Sequence, residues 1–351
     1  MMIIMDRNEN NYGPSPKCHA VLKRMDMEYF STYSRDYPRR IKSRIAEQYG
    51  IAAEQVAVGY GAEDLLKQIV YWATSRDGRA IAVPNMSWWY YKHIVSEIGG
   101  KLVEYHLNEG DDSWDFDDGE IMRILASRPR VFILASPNNP TGNYLEPGRI
   151  RKYLEAKAPE TVMVLDEAYW GFGAPFFPEE EIGRWPGLIV LRTLSKYYAL
   201  AGLRVGFAFL GSGLEDFVVH NSRYLGFNRI SEEMLFAALD RESEEYYRER
   251  AGKIIEDGVM LFRELRAMGF KSFRSCANFI LARLPEADFK LLKEKVVAKG
   301  IVIKFFSEPI FENCIRISIG TQEQNRLLVE TMKEILAERG CEEIPVEKTR
   351  F

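Results

Sequence analysis

The chain contains 351 residues and carries a formal net charge of −4, from 47 Lys and Arg against 51 Asp and Glu. This length fits one large or two medium domains, since single cores stop growing at roughly 250–300 residues. With 46% hydrophobic residues and no basic block, the composition excludes a disordered chain and a dedicated nucleic-acid binder. No apolar run approaches the ~18 residues of a membrane span, and the apolar start is too short for a signal peptide, so we expect a cytoplasmic protein.

Short apolar runs alternate with helical patterns over the first two thirds of the chain. Several runs are continuously apolar, as in strands buried on both faces of a mostly parallel sheet. This alternation is typical of a doubly wound α/β fold. The predicted strands lie at 56–58, 80–83, 102–105, 131–135, 162–165, 188–191 and 205–209. The predicted helices between them lie near 62–73, 88–98, 119–126 and 150–156.

The pattern changes after about residue 227. The predicted elements that follow are a long charged helix at 244–268, a strand at 279–283, a helix at 289–299, strands at 302–305 and 315–319, and a helix at 322–338. This order indicates a small α+β domain packed on the large one. We therefore divide the chain into an N-terminal arm (1–30), a large domain (31–226) and a small C-terminal domain (227–351). The arm is rich in turn residues, and we expect no stable element in it.

The cysteines and histidines show no metal-binding pattern. Cys18, Cys276, Cys314 and Cys341 lie far apart in the chain, which indicates reduced thiols rather than a disulfide framework. The four histidines lack the spacing of zinc ligands. We therefore expect no metal site.

A lysine follows the strand predicted at 188–191. A lysine at the mouth of a buried sheet is partly desolvated, which favours the neutral and nucleophilic form of Lys196. Thr193, Ser195 and Arg204 offer hydroxyl and guanidinium donors that suit a phosphate. Taken alone, Lys196 would be interpreted as an ordinary surface lysine at the end of a strand, and the surrounding motifs reverse that interpretation.

These motifs resemble those of fold-type I aminotransferases that use pyridoxal 5′-phosphate (PLP), and most closely those of the histidinol-phosphate aminotransferase family. Three further segments agree in family order: Ser-Pro-Asn-Asn-Pro-Thr-Gly at 136–142, Leu-Asp-Glu-Ala-Tyr at 165–169 and Cys-Ile-Arg-Ile-Ser-Ile-Gly at 314–320. The resemblance covers nearly the whole chain. It implies a PLP cofactor and transfer of an amino group from histidinol phosphate, or a related or aromatic amino acid, to 2-oxoglutarate.

The resemblance also implies how the cofactor is held. Lys196 would bind it and move a proton during catalysis. Asp166 would keep the pyridine nitrogen protonated, with an ordinary turn or helix cap as its alternative role. Asn139 and Tyr169 would donate to the ring oxygen of the cofactor, although Asn139 before Pro140 also suits a plain turn.

A glycine-rich turn connects the strand at 56–58 to the next helix. The backbone amides of Gly61, Ala62 and Glu63 form a natural phosphate cradle there, and the equivalent segment of the family binds the PLP phosphate. A Gly-x-Gly pattern is weak by itself. Acidic residues such as Glu63 and Asp64 in a first helical turn also simply complement the helix dipole.

Aromatic residues provide two further assignments. The family places a ring that stacks on the pyridine in this part of the chain, and we choose Trp88 over Trp89 and Tyr90. Packing in an aromatic core is the alternative for each of them. Tyr37 resembles the tyrosine that reaches into the neighbouring subunit to contact the PLP phosphate. The resemblance therefore implies a homodimer.

Four residues are candidates for binding the substrate. Arg316 matches the arginine that pairs with the substrate carboxylate, and Asn10 matches a position that lines the pocket. Lys304 stands where histidinol-phosphate enzymes tend to have an arginine, and Arg229 stands where an apolar residue is usual. We hypothesise that Lys304 or Arg229 recognises an anionic side group other than the usual phosphate. Tyr197 also departs from the family, in which a small residue follows the lysine.

Two other functions remain open on the sequence. Threonine-phosphate decarboxylases share these motifs and the family outline, so a PLP-dependent lyase is the main alternative. Arg316 does not separate the two reactions, because the bond that stands perpendicular to the cofactor ring decides between them. The third interpretation is a regulatory or effector-binding module, and the intact Lys196 argues against it.

Overall fold

The structure is a computed structural model that describes residues 2–36, 38–75, 80–222 and 226–338. Its strands are β1 (Ile3–Met5), β2 (Val56–Gly59), β3 (Ala80–Pro84), β4 (Lys101–Tyr105), β5 (Leu107–Glu109), β6 (Trp114–Phe116), β7 (Val131–Ala135), β8 (Val162–Asp166), β9 (Leu188–Thr193), β10 (Gly206–Leu210), β11 (Lys271–Ser272), β12 (Phe279–Arg283), β13 (Ile301–Phe305) and β14 (Cys314–Ser318). Its helices are α1 (Pro16–Arg24), α2 (Glu28–Ser31), α3 (Arg39–Tyr49), α4 (Ala62–Thr74), α5 (Tyr90–Glu97), α6 (Asp118–Ala126), α7 (Pro147–Ala156), α8 (Glu179–Ile182), α9 (Glu215–His220), α10 (Arg229–Ala238), α11 (Arg241–Ala267), α12 (Glu286–Lys295) and α13 (Gln322–Ala337).

The large sheet has seven strands in the order β2-β10-β9-β8-β7-β3-β4. β10 runs antiparallel to both of its neighbours, and the other strands run parallel. Every residue of β7, β8 and β9 is buried, as predicted from their continuous apolar runs. Helices α4, α5 and α9 pack on one face, whereas α3, α6 and α7 pack on the other. The predicted doubly wound α/β architecture is confirmed.

The smaller sheet has five strands in the order β1-β13-β14-β12-β11. The predicted sequence of elements from β12 to α13 is confirmed, with α11 and α13 packed against this sheet. The prediction that the arm holds no stable element is wrong. β1 pairs parallel with β13, so that Ile3 lies opposite Ile301, and α1 begins at Pro16. A three-residue strand whose partner lies almost 300 positions away leaves no periodic pattern in the sequence.

Two features of this architecture position the site. The carboxyl ends of β7, β8 and β9 lie at one edge of the large sheet because the strands are parallel, and ligands bind beyond that edge in open α/β sheets. β14 of the smaller sheet contacts the loop that follows β7 at the same place, through Arg316 and Asn139. Within the described ranges, no helix is both long and apolar enough to cross a membrane.

Candidate active site

A buried carboxylate ends strand β8. Asp166 is 5% exposed and receives two hydrogen bonds, from Tyr91 Oη to Oδ2 (2.7 Å) and from the Ala168 amide to Oδ1 (2.9 Å). Burial raises the pKa of Asp166, and the two donors oppose this shift. Among the described residues, no cation forms an ion pair with it. A buried carboxylate of this kind suits a cationic ligand atom such as a protonated ring nitrogen.

Lys196 follows β9 at the same edge of the sheet. The residue is half-buried, and its Nζ donates a hydrogen bond to the Arg7 carbonyl (2.9 Å). Burial lowers the pKa of Lys196 to about 7, and the positive charges of Arg316 and Arg204 add to the effect. A substantial fraction of the amine is therefore neutral at neutral pH, as a lysine nucleophile requires.

Tyr169 lies beside Lys196 and is fixed from the N-terminal segment. The side chain is 6% exposed, and its hydroxyl accepts a hydrogen bond from Asn8 Nδ2 (2.8 Å). Its ring packs edge-on against Phe279, with 5.0 Å between the ring centroids. Lys196 Nζ lies 5.7 Å from the centroid of the Tyr169 ring. The structure thus brings the predicted lysine and tyrosine together.

Arg316 connects the smaller sheet to the edge of the large one. Its Nη1 donates to Asn139 Oδ1 (2.6 Å), and its Nη2 donates to the Asp6 carbonyl (2.6 Å). Its Nε is buried without a hydrogen-bond partner in the described part of the chain. Lys304 lies directly opposite Arg316 in the β13–β14 register. This arrangement suits a bound carboxylate or phosphate, which accepts parallel hydrogen bonds from a guanidinium.

The turn before α4 forms a cradle with two hydroxyls and a guanidinium. Gly61 is the N-cap at φ +90°, and a Cβ there would lie 2.6 Å from Arg204 Nη2. A Cβ on Gly206 would lie 2.4 Å from the Gly61 carbonyl carbon. Thr193 Oγ1 donates to Ser195 Oγ (2.9 Å), which also accepts from Arg204 Nη1 (3.4 Å). Glycines, hydroxyls and guanidinium thus converge as a phosphate site requires.

Ala62 and Glu63 occupy the first turn of α4, where their amides were predicted to face the phosphate. Gly61 has no side chain that could cap these amides. The Glu63 carboxylate lies 3.6 Å from Arg204 Nη2, and both side chains are 47% exposed. The guanidinium of the cradle therefore has an acidic neighbour at its solvent side, with which a bound phosphate would compete.

The aromatic run before α5 differs residue by residue. Trp88 is half-buried and packs edge-on against Tyr91, with 5.7 Å between the ring centroids, and Tyr91 is the residue bonded to Asp166. Trp89 is 59% exposed. Tyr90 packs against both tryptophans. These contacts favour Trp88 as the ring that would stack on a ligand held by Asp166, and this assignment stays a prediction.

Asn10 and Tyr197 have structural partners. Asn10 is 8% exposed and donates from Nδ2 to the Tyr197 carbonyl (3.2 Å), so it holds the arm against the chain just after Lys196. The Tyr197 ring packs against Trp170 and covers Gly171, where a Cβ would lie 2.3 Å from the ring. The departure from the family at Tyr197 is thus matched by a glycine that makes room for the ring.

Arg229 lies at the start of α10 and contacts the α2 region. It donates to the Glu28 carbonyl (3.1 Å) and to the Thr32 hydroxyl, and its guanidinium lies 4.5 Å from the centroid of the Tyr29 ring. The guanidinium of Arg229 is thus engaged by the α2 region, whereas Lys304 lies opposite Arg316 in the β13–β14 register. Lys304 therefore remains the candidate for recognising an anionic side group.

Tyr37, predicted to reach the partner subunit, lies outside the described residues. Sequence reasoning missed two groups that touch the site, Tyr91 on Asp166 and Asn8 on Tyr169. It also missed the buried ion pair Glu167–Arg192, whose members are the chain neighbours of Asp166 and Thr193. A charged residue in the buried run of β9 was the available signal, since a fully buried arginine requires a carboxylate partner.

Comparisons with known proteins agree with this arrangement. The family model for aminotransferases of class I and II matches residues 1–332. A histidinol-phosphate aminotransferase from Acinetobacter baumannii (strain AYE) is 33% identical over 340 residues, which cover 95% of this chain and 91% of the relative.

Two solved structures share the fold. The histidinol-phosphate aminotransferase from Sinorhizobium meliloti in complex with pyridoxal-5′-phosphate superposes with a TM-score of 0.86 at 24% identity, covering 96% of this chain and 91% of that one. The L-threonine-O-3-phosphate decarboxylase from Porphyromonas gingivalis gives a TM-score of 0.78 at 19% identity, covering 96% of this chain and 100% of the other. The fold alone therefore does not distinguish transfer from decarboxylation.

Proposed function

Because the chain belongs to the aminotransferase class I and II family, we propose that it moves the amino group of histidinol phosphate to 2-oxoglutarate. The chain is a PLP-dependent aminotransferase of fold type I; the proposal concerns its amino donor. The observation that supports it is the position of Arg316 and Lys304 side by side at the edge of the site. The decarboxylase alternative is not favoured, since the curated relatives at about one third identity are histidinol-phosphate aminotransferases.

The residues around Lys196 fit PLP. The cradle at Gly61, with Ser195 and Arg204, provides donors for the cofactor phosphate. Asp166 is a buried carboxylate without an ion-pair partner among the described residues, as a protonated pyridine nitrogen requires. Lys196 offers an amine with a pKa of about 7 for the cofactor aldehyde. When bound, PLP supplies an electron sink for the substrate carbon that bears the amine.

Each side chain then has one task. Lys196 Nζ accepts the proton of the substrate carbon that bears the amine and later returns a proton. Tyr169 and Asn139 would present a hydroxyl and an amide to the ring oxygen of the cofactor; Tyr169 is held by Asn8, and Asn139 is held by Arg316. Arg316 binds the anionic group of the substrate, which fixes the orientation of the reacting carbon. The buried carboxylate of Asp166 would hold the protonated pyridine nitrogen of the cofactor at the edge of the large sheet.

The pair of cations suits a substrate whose anion is a phosphate. Histidinol phosphate carries a phosphate ester at the position where an amino acid has its carboxylate, and 2-oxoglutarate carries a carboxylate there. Opposite residues of an antiparallel pair lie on the same face of a sheet, so Lys304 and Arg316 serve one anion position. Two positive charges stabilise a phosphate dianion more than a carboxylate monoanion.

The proposal is tested by steady-state kinetics with histidinol phosphate, phenylalanine and glutamate as donors and 2-oxoglutarate as acceptor. We expect the highest kcat/KM for histidinol phosphate. Lys304→Met should lower it about 10- to 100-fold for this donor and far less for phenylalanine, since a lost charged hydrogen bond costs about 1.5–3 kcal/mol. Lys299→Met removes an exposed lysine of the same domain, paired with Glu334 at 3.5 Å, and serves as the control.

A preference for an aromatic or acidic donor, or an equal loss for all donors in Lys304→Met, would contradict the choice of substrate. Carbon dioxide release from threonine phosphate, without transfer to 2-oxoglutarate, would identify a decarboxylase instead.

We also propose that the chain acts in the cytoplasm as a homodimer, with Tyr37 contributed across the interface. Four apolar side chains on the segment that leads to Tyr37 support this assembly, because each is more than half exposed: Leu22 (57%), Met27 (76%), Phe30 (61%) and Tyr33 (68%). Light scattering should give twice the chain mass of 40.5 kDa. A monomeric mass at micromolar concentration would refute the dimer.

Uptake of PLP by the PLP-free protein is expected to accelerate with pH up to about pH 7 and then level off. The reacting form is the neutral amine of Lys196, and its pKa of about 7 leaves about half of it neutral at pH 7. An ordinary lysine would be less than about 0.1% neutral at that pH. Stopped-flow absorbance at pH 6–9 measures the rate. A rate that still rises about tenfold per pH unit at pH 9 would contradict the lowered pKa.

Tyr91→Phe is expected to weaken PLP binding about 10-fold while leaving the fold intact. The variant removes the hydroxyl that donates to Asp166 Oδ2 (2.7 Å), so the pKa of Asp166 rises further and its carboxylate binds the pyridine nitrogen less well. Fluorescence titration of the PLP-free protein gives the Kd. Tyr71→Phe, at an exposed tyrosine bonded to Glu97, is the matched control. An unchanged Kd in Tyr91→Phe would show that the amide of Ala168 suffices.

A further inference from the structure

Three consecutive residues of the N-terminal segment contact three side chains of the site. These contacts join the Asp6 carbonyl to Arg316 Nη2 (2.6 Å), the Arg7 carbonyl to Lys196 Nζ (2.9 Å) and Asn8 Nδ2 to Tyr169 Oη (2.8 Å). Asn8 differs from its two neighbours because it uses its side chain. Its contact therefore depends on the residue type, whereas any residue supplies a backbone carbonyl.

Asn8 is fixed by the smaller sheet. It is 1% exposed and has φ +55°, a left-handed conformation that asparagine tolerates better than most other residues. Its backbone N–H donates to Ser318 Oγ (2.7 Å) at the end of β14, and its backbone carbonyl accepts from Asn278 Nδ2 (3.0 Å) just before β12. The backbone of Asn8 is thus held by the smaller sheet, while its side-chain amide contacts Tyr169 of the large domain.

The bond from Asn8 determines what the Tyr169 hydroxyl does. A phenol has one proton to donate and two lone pairs, and one of these lone pairs accepts from Asn8 Nδ2. The proton of Tyr169 is therefore free to point toward a ligand. A donor that bonds to the hydroxyl oxygen also polarises the O–H bond and makes it a stronger donor. Burial raises the pKa of Tyr169, and the bond from Asn8 opposes that shift.

We propose that Asn8 is a positioning residue for Tyr169: it orients the hydroxyl and strengthens its donation to the ring oxygen of bound PLP. This inference rests on the proposed function, because it requires PLP at Lys196. Since Asn8 is held by Ser318 of the smaller sheet, donation from Tyr169 is strongest when that sheet is docked on the large one. Asn8 thereby links the placement of the smaller sheet to the protonation of the cofactor site.

The test uses the absorption spectrum of the PLP-loaded protein rather than its activity. Donation from Tyr169 stabilises negative charge on the cofactor oxygen, so a weaker donor raises the pH midpoint of the visible absorption change. Asn8→Gly removes the side-chain amide and keeps a residue whose backbone readily adopts a positive φ. We expect it to raise the midpoint by about 0.5–1 pH unit, the size of one hydrogen bond.

Two companion variants separate this role from a structural one. Tyr169→Phe should raise the midpoint more, and the double variant should equal Tyr169→Phe, because Asn8 acts through the hydroxyl. Asn11→Gly removes a side chain of the same segment that bonds to Gln324 Oε1 (2.9 Å), and it should leave the midpoint unchanged.

The inference is overturned if Asn8→Gly keeps the wild-type midpoint while Tyr169→Phe shifts it, or if the two shifts add in the double variant. It is also overturned if Asn11→Gly shifts the midpoint as much as Asn8→Gly, since loosening of the segment would then explain both. A wild-type protein that develops no visible band with PLP would refute the proposed function itself, which distinguishes the two failures.

Discussion

Replacing Lys196 with alanine is expected to reduce the rate of amino transfer by at least about 10³-fold. The variant loses both the amine that binds the cofactor aldehyde and the base that moves the substrate proton, and a positioned acid–base group alone contributes about 10²–10⁴-fold. Lys196 is also the residue around which the other side chains are arranged, since the charges of Arg316 and Arg204 help to lower its pKa. Single-turnover kinetics with histidinol phosphate measures the loss.

The matched control is a lysine that burial affects in the same way at the opposite end of the sheet. Lys157 follows α7 just before β8, and burial lowers its pKa as well. Lys157→Ala should keep the activity and the visible absorption of the PLP-loaded enzyme. Full activity in Lys196→Ala would overturn the assignment of the site, whereas a comparable loss in Lys157→Ala would show that the assay reports general damage.

The large sheet could be predicted because its strands are encoded locally. β7 is a five-residue apolar run and β8 has four apolar residues before Asp166; turn residues flank both strands, and every residue in them is buried. Burial on both faces requires such runs whatever the neighbouring strands are. Asp166 at the end of β8 and Lys196 after β9 could therefore be placed at one edge of the sheet from the sequence.

The contacts made by the N-terminal segment could not be predicted in this way. β1 has three residues, and its partner β13 lies almost 300 positions later in the chain. Asn8 lies in a turn-rich stretch, and its position depends on hydrogen bonds to Ser318 at the end of β14 and to Asn278 just before β12. Long-range hydrogen bonds leave no local period, so a single sequence does not show which asparagine meets Tyr169.

Arg192→Met is expected to destabilise the large domain by about 3–5 kcal/mol, the cost of breaking a buried ion pair. Arg192 is 2% exposed and donates from Nε to Glu167 Oε2 (2.9 Å) and from Nη1 to Glu179 Oε1 (2.6 Å). Without it, the Glu167 carboxylate stays buried and keeps the Phe177 amide (2.8 Å). Urea unfolding of the PLP-free protein, followed by tryptophan fluorescence, measures the change.

An exposed pair provides the control for this prediction. Arg151 forms a similar two-point contact with Glu181, at 2.8 Å and 2.6 Å, but its side chain is 37% exposed. Solvent replaces the lost partner there, so Arg151→Met should have a far smaller effect than Arg192→Met. Equal losses in the two variants would contradict the importance of burial.

The double variant Arg192→Met/Glu167→Leu separates stability from function. Four aromatic rings lie 4.8–5.2 Å from the Arg192 guanidinium carbon: Tyr49, Trp170, Phe176 and Phe209. Apolar side chains in place of these two charges should recover part of the stability among these rings, although Glu179 loses its partner and the Phe177 amide loses its acceptor. Glu167 follows Asp166 and Arg192 precedes Thr193, so the ion pair joins the ends of β8 and β9. If the folded double variant binds PLP more weakly than the wild type, the pair serves to position these two strand ends; if its affinity equals that of the wild type, the pair acts on stability alone.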